Sequence, residues 1–198
     1  MSCIQEKIIG EIQDSIEAKQ KVLDNSEILK TLELMADPIT ETLKKGGKIL
    51  LCGNGGSASD ALHFAGEIVG RFQKERKAYN AIALNADVAT MTAIANDYGY
   101  DQVFSRQVEG LMTDKDVLIG ISTSGNSKNI IKAVEKAHEI GGKAYLFSGK
   151  DGGKLKDICD LCIIVPSDVT THIQEVHECL YHILCGLIEN AMIEVYRN

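Results

Sequence analysis

The chain has 198 residues, a formal net charge of −7 and 44% hydrophobic residues. That is the length of one domain with a sizeable core, and the acidic balance argues against a generic nucleic-acid or anionic-membrane binder while leaving room for a local site that takes an anionic substrate. No apolar stretch reaches the roughly 20 residues of a membrane span, and the start Met1–Lys7 lacks the basic segment and apolar core of a signal peptide, so a cytoplasmic protein with six reduced cysteines is expected.

Two amphipathic helices are predicted first, over 4–23 and 26–45. Ile4, Ile8, Ile12, Ile16 and Leu23 form the stripe of one; Ile28, Leu32, Leu34, Met35, Ile39 and Leu43 form that of the other. Gly46-Gly47 stops the second. The pattern then alternates. Strands are predicted at 48–53, 80–85, 116–122, 144–148 and 161–165. Helices are predicted at 58–73, 87–96, 100–112, 127–140, near 152–157 and over 170–195. Two prolines and no Trp predict long uninterrupted elements. Alternating strands and helices imply an α/β protein with a five-stranded parallel sheet covered on both faces. Right-handed crossovers leave few orders, and the flavodoxin-like 2-1-3-4-5 is favoured, with a ligand at the switch point between strands one and three. The whole chain, 1–198, reads as a single domain: N-terminal helices over 1–46 and an α/β core over 47–198.

Two loops carry the chemistry. Asn54-Gly55-Gly56-Ser57 follows the apolar run Ile49-Leu50-Leu51-Cys52, and Ser122-Thr123-Ser124-Gly125-Asn126-Ser127 follows Val117-Leu118-Ile119-Gly120-Ile121. Each opens into a helix. Unpaired N–H groups and the macrodipole at a helix start favour an anion, small side chains let the backbone approach, and Ser and Thr hydroxyls add donors. Two such loops predict one phosphorylated ligand held from two sides.

The helix after the first loop carries His63 and Glu67, one turn apart on one face. The last helix carries Gln174, Glu178, His182 and Cys185 within about 80° of one another. His and carboxylate groups from two helices suit a divalent metal such as zinc; they suit equally a direct role in holding a sugar carbonyl and moving its protons. His172, Glu175 and His177 compete on the same helix, and spacing does not choose among them. Asn96-Asp97 before Tyr98-Gly99 reads as a helix stop. The run Gln73-Lys74-Glu75-Arg76-Lys77 reads as a solvated loop, and Arg71 as either a phosphate contact or a solvent-facing residue. Cys159-Asp160-Leu161-Cys162 has no second cysteine pair or histidine pair at finger spacing, so buried, reduced thiols are expected over zinc or redox chemistry.

Cys52-Gly53-Asn54-Gly55-Gly56-Ser57 with Asp60-Ala61-Leu62-His63-Phe64-Ala65-Gly66-Glu67 resembles the start of the sedoheptulose-7-phosphate isomerases (phosphoheptose isomerases), within the sugar-isomerase, or SIS, domain family. Ser122–Ser127 resembles that family's phosphosugar loop, and Ile173-Gln174-Glu175-Val176-His177 with His182-Ile183-Leu184-Cys185 its C-terminal signature. Together, in order and at matching spacing, the three motifs cover nearly the whole chain. The resemblance implies conversion of sedoheptulose 7-phosphate to D-glycero-D-manno-heptose 7-phosphate. This is the first step towards the ADP-heptoses of lipopolysaccharide core and some capsules.

It further implies a homotetramer with sites shared between subunits, and one zinc per subunit on His63, Glu67, Gln174 and His182. Substrate contacts are implied at Asn54, Gly55, Gly56, Glu67, Asn96, Asp97, Ser122, Thr123, Ser124, Ser127 and Gln174. Thr171 departs from the family, some members of which carry Asp there. Aldose–ketose interchange needs a base for the carbon proton and an acid for the oxygen; Glu67 and His182 are assigned these roles.

Three rivals remain at this point. One is a non-catalytic adaptor of the same family that binds a replication initiator, which the retained His63, Glu67, Gln174 and His182 disfavour. Another is a phosphosugar-sensing regulatory domain, which the absence of a basic recognition helix in the first 45 residues disfavours. The third is a nucleotide-binding domain, which the missing G-x-G-x-x-G spacing disfavours.

Overall fold

The computed structural model describes residues 2–195; Met1 and residues 196–198, at the ends of the predicted domain, lie outside them. Two helices open the chain, α1 (Cys3–Leu23) and α2 (Ser26–Lys44). They lead into β1 (Ile49–Gly53), α3 (Gly56–Val69), β2 (Ala81–Ala83), α4 (Val88–Tyr98) and α5 (Ser105–Leu111). Then come β3 (Val117–Ser122), α6 (Lys128–Ile140), β4 (Lys143–Gly149), β5 (Leu161–Val165) and α7 (Thr170–Val195). The strands form one parallel sheet in the order β2-β1-β3-β4-β5. The order expected from the sequence is therefore the observed one.

The pleat sorts side chains into two cores. Ile49, Leu51, Val117, Ile119, Tyr145 and Phe147 face a layer made by α1, α2, α3 and α7. Leu50, Cys52, Leu118 and Leu146 face α5 and α6, with Met91 and Ile94 of α4 at the margin. Fully buried strands of this kind read as continuous apolar runs, which is why the strands are visible in the sequence.

α2 runs through Pro38, as the helix expected over 26–45 requires. Three local expectations change. α3 begins at Gly56 and stops at Val69, before Gly70, rather than running to 73. The helix expected over 100–112 divides into a 3₁₀ turn at Tyr100–Gln102 and α5. There the Ser105 hydroxyl bonds Gln102 Oε1 (2.8 Å) and the Gln102 carbonyl (3.2 Å), competing locally with the helix. The segment near 152–157 is a 3₁₀ turn, Lys154–Asp157.

The stripe of α1 points outward. Ile4, Ile8, Ile12, Ile16 and Leu23 are 53–73% exposed, and the helix is seated on the body through Ala18 and Val22 instead.

The run 73–77 is not merely a solvated loop. Arg76 is buried against α7, where its Nε donates to Glu189 Oε1 (2.9 Å), and the two side chains are 4% and 2% exposed. Its remaining N–H groups donate to the carbonyls of Glu67 (2.9 Å), Ile68 (3.1 Å) and Gly70 (2.9 Å), satisfying the C-terminal carbonyls of α3. The guanidinium lies 4.2 Å over the Tyr79 ring. Glu189 also accepts from the backbone N–H groups of Phe72, Gln73 and Lys74. Burial pushes the Glu189 carboxyl up, but these donors and Arg76 outweigh it and hold it below its ordinary value. Removing one member of a buried pair strands the other charge. Glu189→Ala should therefore destabilise the fold by about 3–5 kcal/mol in urea denaturation; a change within about 0.5 kcal/mol, as at an ordinary surface position, would show that Arg76 finds solvent instead.

Candidate active site

Both glycine- and serine-rich loops sit at the carboxyl ends of neighbouring central strands, β1 and β3, at the switch point of the sheet order. α1, α2 and α4 begin with a side-chain cap from Ser2, Asn25 or Asp87, whereas α3 and α6 begin without one. Ser57 N and Ala58 N turn back on the Asn54 and Gly55 carbonyls and Ile130 N on the Ser127 carbonyl, so the outermost N–H groups of each start are the ones open to another acceptor.

In the first loop, the Asn85 side chain accepts from Gly53 N (3.2 Å) and donates to the Gly53 carbonyl (2.8 Å), extending the β1–β2 ladder beyond Ala83. In the second, Ser122 Oγ and Ser127 Oγ are 3.0 Å apart across the loop mouth. Ser148 of β4 donates to the Ser122 carbonyl (2.8 Å). Gly125 holds φ +63°, and a Cβ there would stand 1.8 Å from the Gly152 carbonyl, so only glycine closes this turn. Leu155 N then donates to the Gly125 carbonyl (2.9 Å), tying the loop to the 3₁₀ turn.

α3 and α7 run side by side in the same direction, and the pair presents a second cluster. His63 Nε2 lies 3.1 Å from Glu67 Oε1 and 3.4 Å from His182 Nε2. Phe72 stacks on the His182 ring at 5.8 Å. Tyr181 Oη lies 2.9 Å from His63 Nδ1, and Glu178 Oε1 lies 3.7 Å from the same nitrogen. A hydroxyl both donates and accepts, so Tyr181 orients the ring in either tautomer and leaves Nε2 facing the cluster. One turn earlier, Asp60 is pushed up to about 6 by burial and by Glu178, against the opposing pull of His63.

Among the described residues, His63, Glu67 and His182 form the one histidine-, cysteine- or carboxylate-based group whose donor atoms fall together, within 4.8 Å of one another. Two imidazole nitrogens converging with a carboxylate oxygen, one ring braced from behind, is a donor set that fits a zinc ion.

Gln174 lies at the other end of the helix pair. Its Nε2 is 2.4 Å from where a Cβ on Gly56 would stand, so it covers the first loop. At 1.5 Å per residue it sits about 12 Å from His182 along α7. Within one chain the four proposed ligands thus divide into a three-residue cluster and a separate amide. Asn96 and Asp97 occupy the exposed last turn of α4, bonded to each other at 2.8 Å. Arg71 is exposed and pairs with Glu75 (3.4 Å). Cys159 and Cys162, expected as buried thiols, are partly buried; Cys52 and Cys185 are buried, and Cys3 and Cys179 are exposed.

A family model described as the SIS domain matches residues 12–148. The chain belongs to the SIS domain family. Within it, this SIS protein belongs with the phosphoheptose isomerases. It is 54% identical over 178 residues to a phosphoheptose isomerase of Helicobacter pylori strain P12, covering 90% of this chain and 88% of the relative. The structure of phosphoheptose isomerase from Neisseria gonorrhoeae matches with a TM-score of 0.89 at 42% identity, over 94% of this chain and 99% of that one. That of a phosphoheptose isomerase from Francisella tularensis matches at 0.90 and 39% identity, over 96% and 100%.

Sequence reasoning passed over four residues of this SIS site: Asn85, Tyr100, Asn129 and Tyr181. Their roles depend on partners far away in the chain, and none stands in a motif. His177, which spacing left level with His182, is separated from it by the fold. Its ring is buried on Phe147, Nε2 donates to the Ser148 carbonyl (2.9 Å), and Nδ1 is buried without a partner. Burial lowers its pKa to about 4, against the Ser148 bond. The unfolded chain therefore binds a proton that the native state refuses between about pH 6.5 and 4. Stability should fall on acidification through that window, by up to about 1.4 kcal/mol per pH unit. Urea denaturation at pH 6.5, 5.5 and 4.5 should show this slope for the wild type and a shallower one for His177→Gln; parallel slopes would mean that His177 titrates as in the unfolded chain.

Proposed function

We propose that this phosphosugar isomerase interconverts sedoheptulose 7-phosphate and D-glycero-D-manno-heptose 7-phosphate through an enediol. One observation carries the reading: Glu67 and His182, a base and an acid from different helices, meet around one imidazole. This cluster lies along the same helix pair whose start is a phosphate-type loop. At 1.5 Å per residue, His63 is about 10 Å along α3 from Gly56, a separation on the scale of an extended sugar phosphate.

The phosphate is held by Ser122, Thr123, Ser124 and Ser127 with the backbone N–H groups of Gly55, Gly56 and the α6 start. Asn54, Asn96, Asp97 and Gln174 address the sugar hydroxyls. The Glu67 carboxylate takes a proton from C1 of the linear ketose while the His182 imidazolium gives one to the C2 oxygen. Glu67 then returns its proton to C2, and His182 takes the proton of the C1 hydroxyl, leaving the aldehyde. Microscopic charge balance is kept because each group ends as it began. Zinc, when bound by His63, Glu67 and His182 with Gln174 as the fourth residue implied by the family, supplies a Lewis acid for the carbonyl and hydroxyl oxygens.

The helices over 1–46 serve assembly in this reading, within a single domain. Leu62 and Val69 on α3, Ile183 and Leu187 on α7, and the α1 stripe are all exposed. Such an extent of apolar surface beside the cluster favours a homo-oligomer, a tetramer by family resemblance, that covers it and excludes water. The product enters ADP-heptose synthesis for lipopolysaccharide core or capsule, in the cytoplasm. No helix among the described residues is long and apolar enough to cross a membrane. The adaptor alternative has no need of a converging His63–Glu67–His182 set.

Glu67→Gln keeps the shape and removes the base, so turnover should drop by at least about 10²-fold; near-normal turnover would remove Glu67 from the role. Isomerisation of sedoheptulose 7-phosphate should fall after chelation and return with zinc, while His63→Ala should fail to recover. Activity indifferent to chelation would keep the Glu67–His182 pair and take zinc out of the reaction. No activity under any condition would put the adaptor first.

A further inference from the structure

Asn129, on the first turn of α6, is 3% exposed, and its carboxamide faces that of Asn54 across the gap between the two loops. The two amides pair reciprocally: Asn54 Nδ2 donates to Asn129 Oδ1 (3.0 Å), and Asn129 Nδ2 donates to Asn54 Oδ1 (2.9 Å). One outer bond decides which way round the pair sits, and a second agrees with it. Ile130 N donates to Asn129 Oδ1 (3.0 Å), and a backbone N–H is never an acceptor, so this atom is the oxygen. The opposite atom of Asn129 is then NH₂, and Asn54 must turn its own oxygen towards it. Tyr100 Oη donates to that same Asn54 oxygen (3.0 Å). Both acceptor positions of Asn54 Oδ1 are thereby filled and one Nδ2 proton is used, which leaves a single N–H.

We propose that Asn129 is a positioning residue: it fixes the Asn54 carboxamide as a donor towards the oxygens of the phosphosugar and locks the two phosphate loops in register, with Tyr100 as the outer latch. This rests on the reading above that Asn54 touches substrate. A donor is what an anionic, hydroxyl-rich ligand needs at a helix start, and an unfixed amide would present its oxygen half of the time.

The test is a double-mutant cycle with KM and kcat for sedoheptulose 7-phosphate, and inorganic phosphate as a competing probe. Asn129→Leu is nearly isosteric and uncharged, and it removes both amide contacts to Asn54 without placing a carboxylate beside the phosphate loops. It should raise KM and the phosphate inhibition constant about tenfold with kcat changed less than about twofold, the signature of lost uniform binding. Tyr100→Phe, at an exposed ring, should raise KM by about two- to fourfold. Placed on Asn54→Ala, either change should add almost nothing, because it acts through Asn54. If Asn54→Ala raises KM while Asn129→Leu and Tyr100→Phe leave it at the wild-type value, or if their effects multiply in the Asn54→Ala background, Asn129 does not position Asn54. If Asn54→Ala itself leaves KM unchanged, the substrate contact fails and the positioning role falls with it. Tyr100→Phe keeps the test decisive should the Asn129 variants not fold.

Discussion

The site depends on α3 and α7 lying side by side and running the same way on one face of the sheet. Three contacts at three heights fix that register. At the start, the Gln174 amide covers Gly56, where a side chain would not fit. Midway, Tyr181 and His182 meet His63. At the far end, Glu189 gathers Arg76 and three backbone N–H groups, and Arg76 reaches the Glu67 carbonyl. A shift of one residue along α7 turns its face by 100° and takes His182 away from the cluster. A buried ion pair is weak evidence of net stability, because desolvation offsets much of its attraction. Its better-attested use is to specify one arrangement over its neighbours, and here the arrangement specified is the one that points a carboxylate and two imidazoles at a common volume.

The opposite end of the helix pair follows a different rule. The loops there are braced by neutral groups: Asn85 on Gly53, Asn129 on Asn54, Ser148 on Ser122. Amides and hydroxyls both donate and accept, so they complete backbone ladders and fix neighbouring side chains without adding charge. A carboxylate in any of these places would weaken the positive potential that two uncapped helix starts provide for an anion. The carboxylates instead collect about 10 Å away around His63, the groups to which the proposed reaction gives proton transfer. In that proposal one chain keeps an anion-binding end and a proton-handling end apart on a shared scaffold.

This division explains what was legible in the sequence. Strand and helix order, the glycine turns and the two loops are set by residues close together in the chain, so periodicity and turn chemistry reveal them. His63 and Glu67 share a helix face and could be paired for the same reason. Arg76 and Glu189 are 113 positions apart, Asn54 and Asn129 are 75 apart, and Tyr181 and His63 are 118 apart. Nothing local distinguishes Arg76 from the exposed charges around it. The α1 stripe shows the complementary limit. Its period identifies an apolar face correctly, but a period does not say whether that face meets the chain's own core or another surface. Ala18 and Val22, smaller and off the stripe, are the residues that seat the helix.

The electrostatics around His63 link the two halves of the site. Three carboxyl groups bear on this imidazole: Glu67 at 3.1 Å, Glu178 at 3.7 Å and Asp60 one turn before it. Burial first, and Glu178 second, push Asp60 up to about 6 against the pull of His63. Arg76, whose guanidinium bonds the Glu67 carbonyl, has its charge directed to Glu189 and does not neutralise the cluster. Two imidazole nitrogens and a carboxylate oxygen turned on one volume, with two further carboxyl groups beside them, are a donor set for a cation.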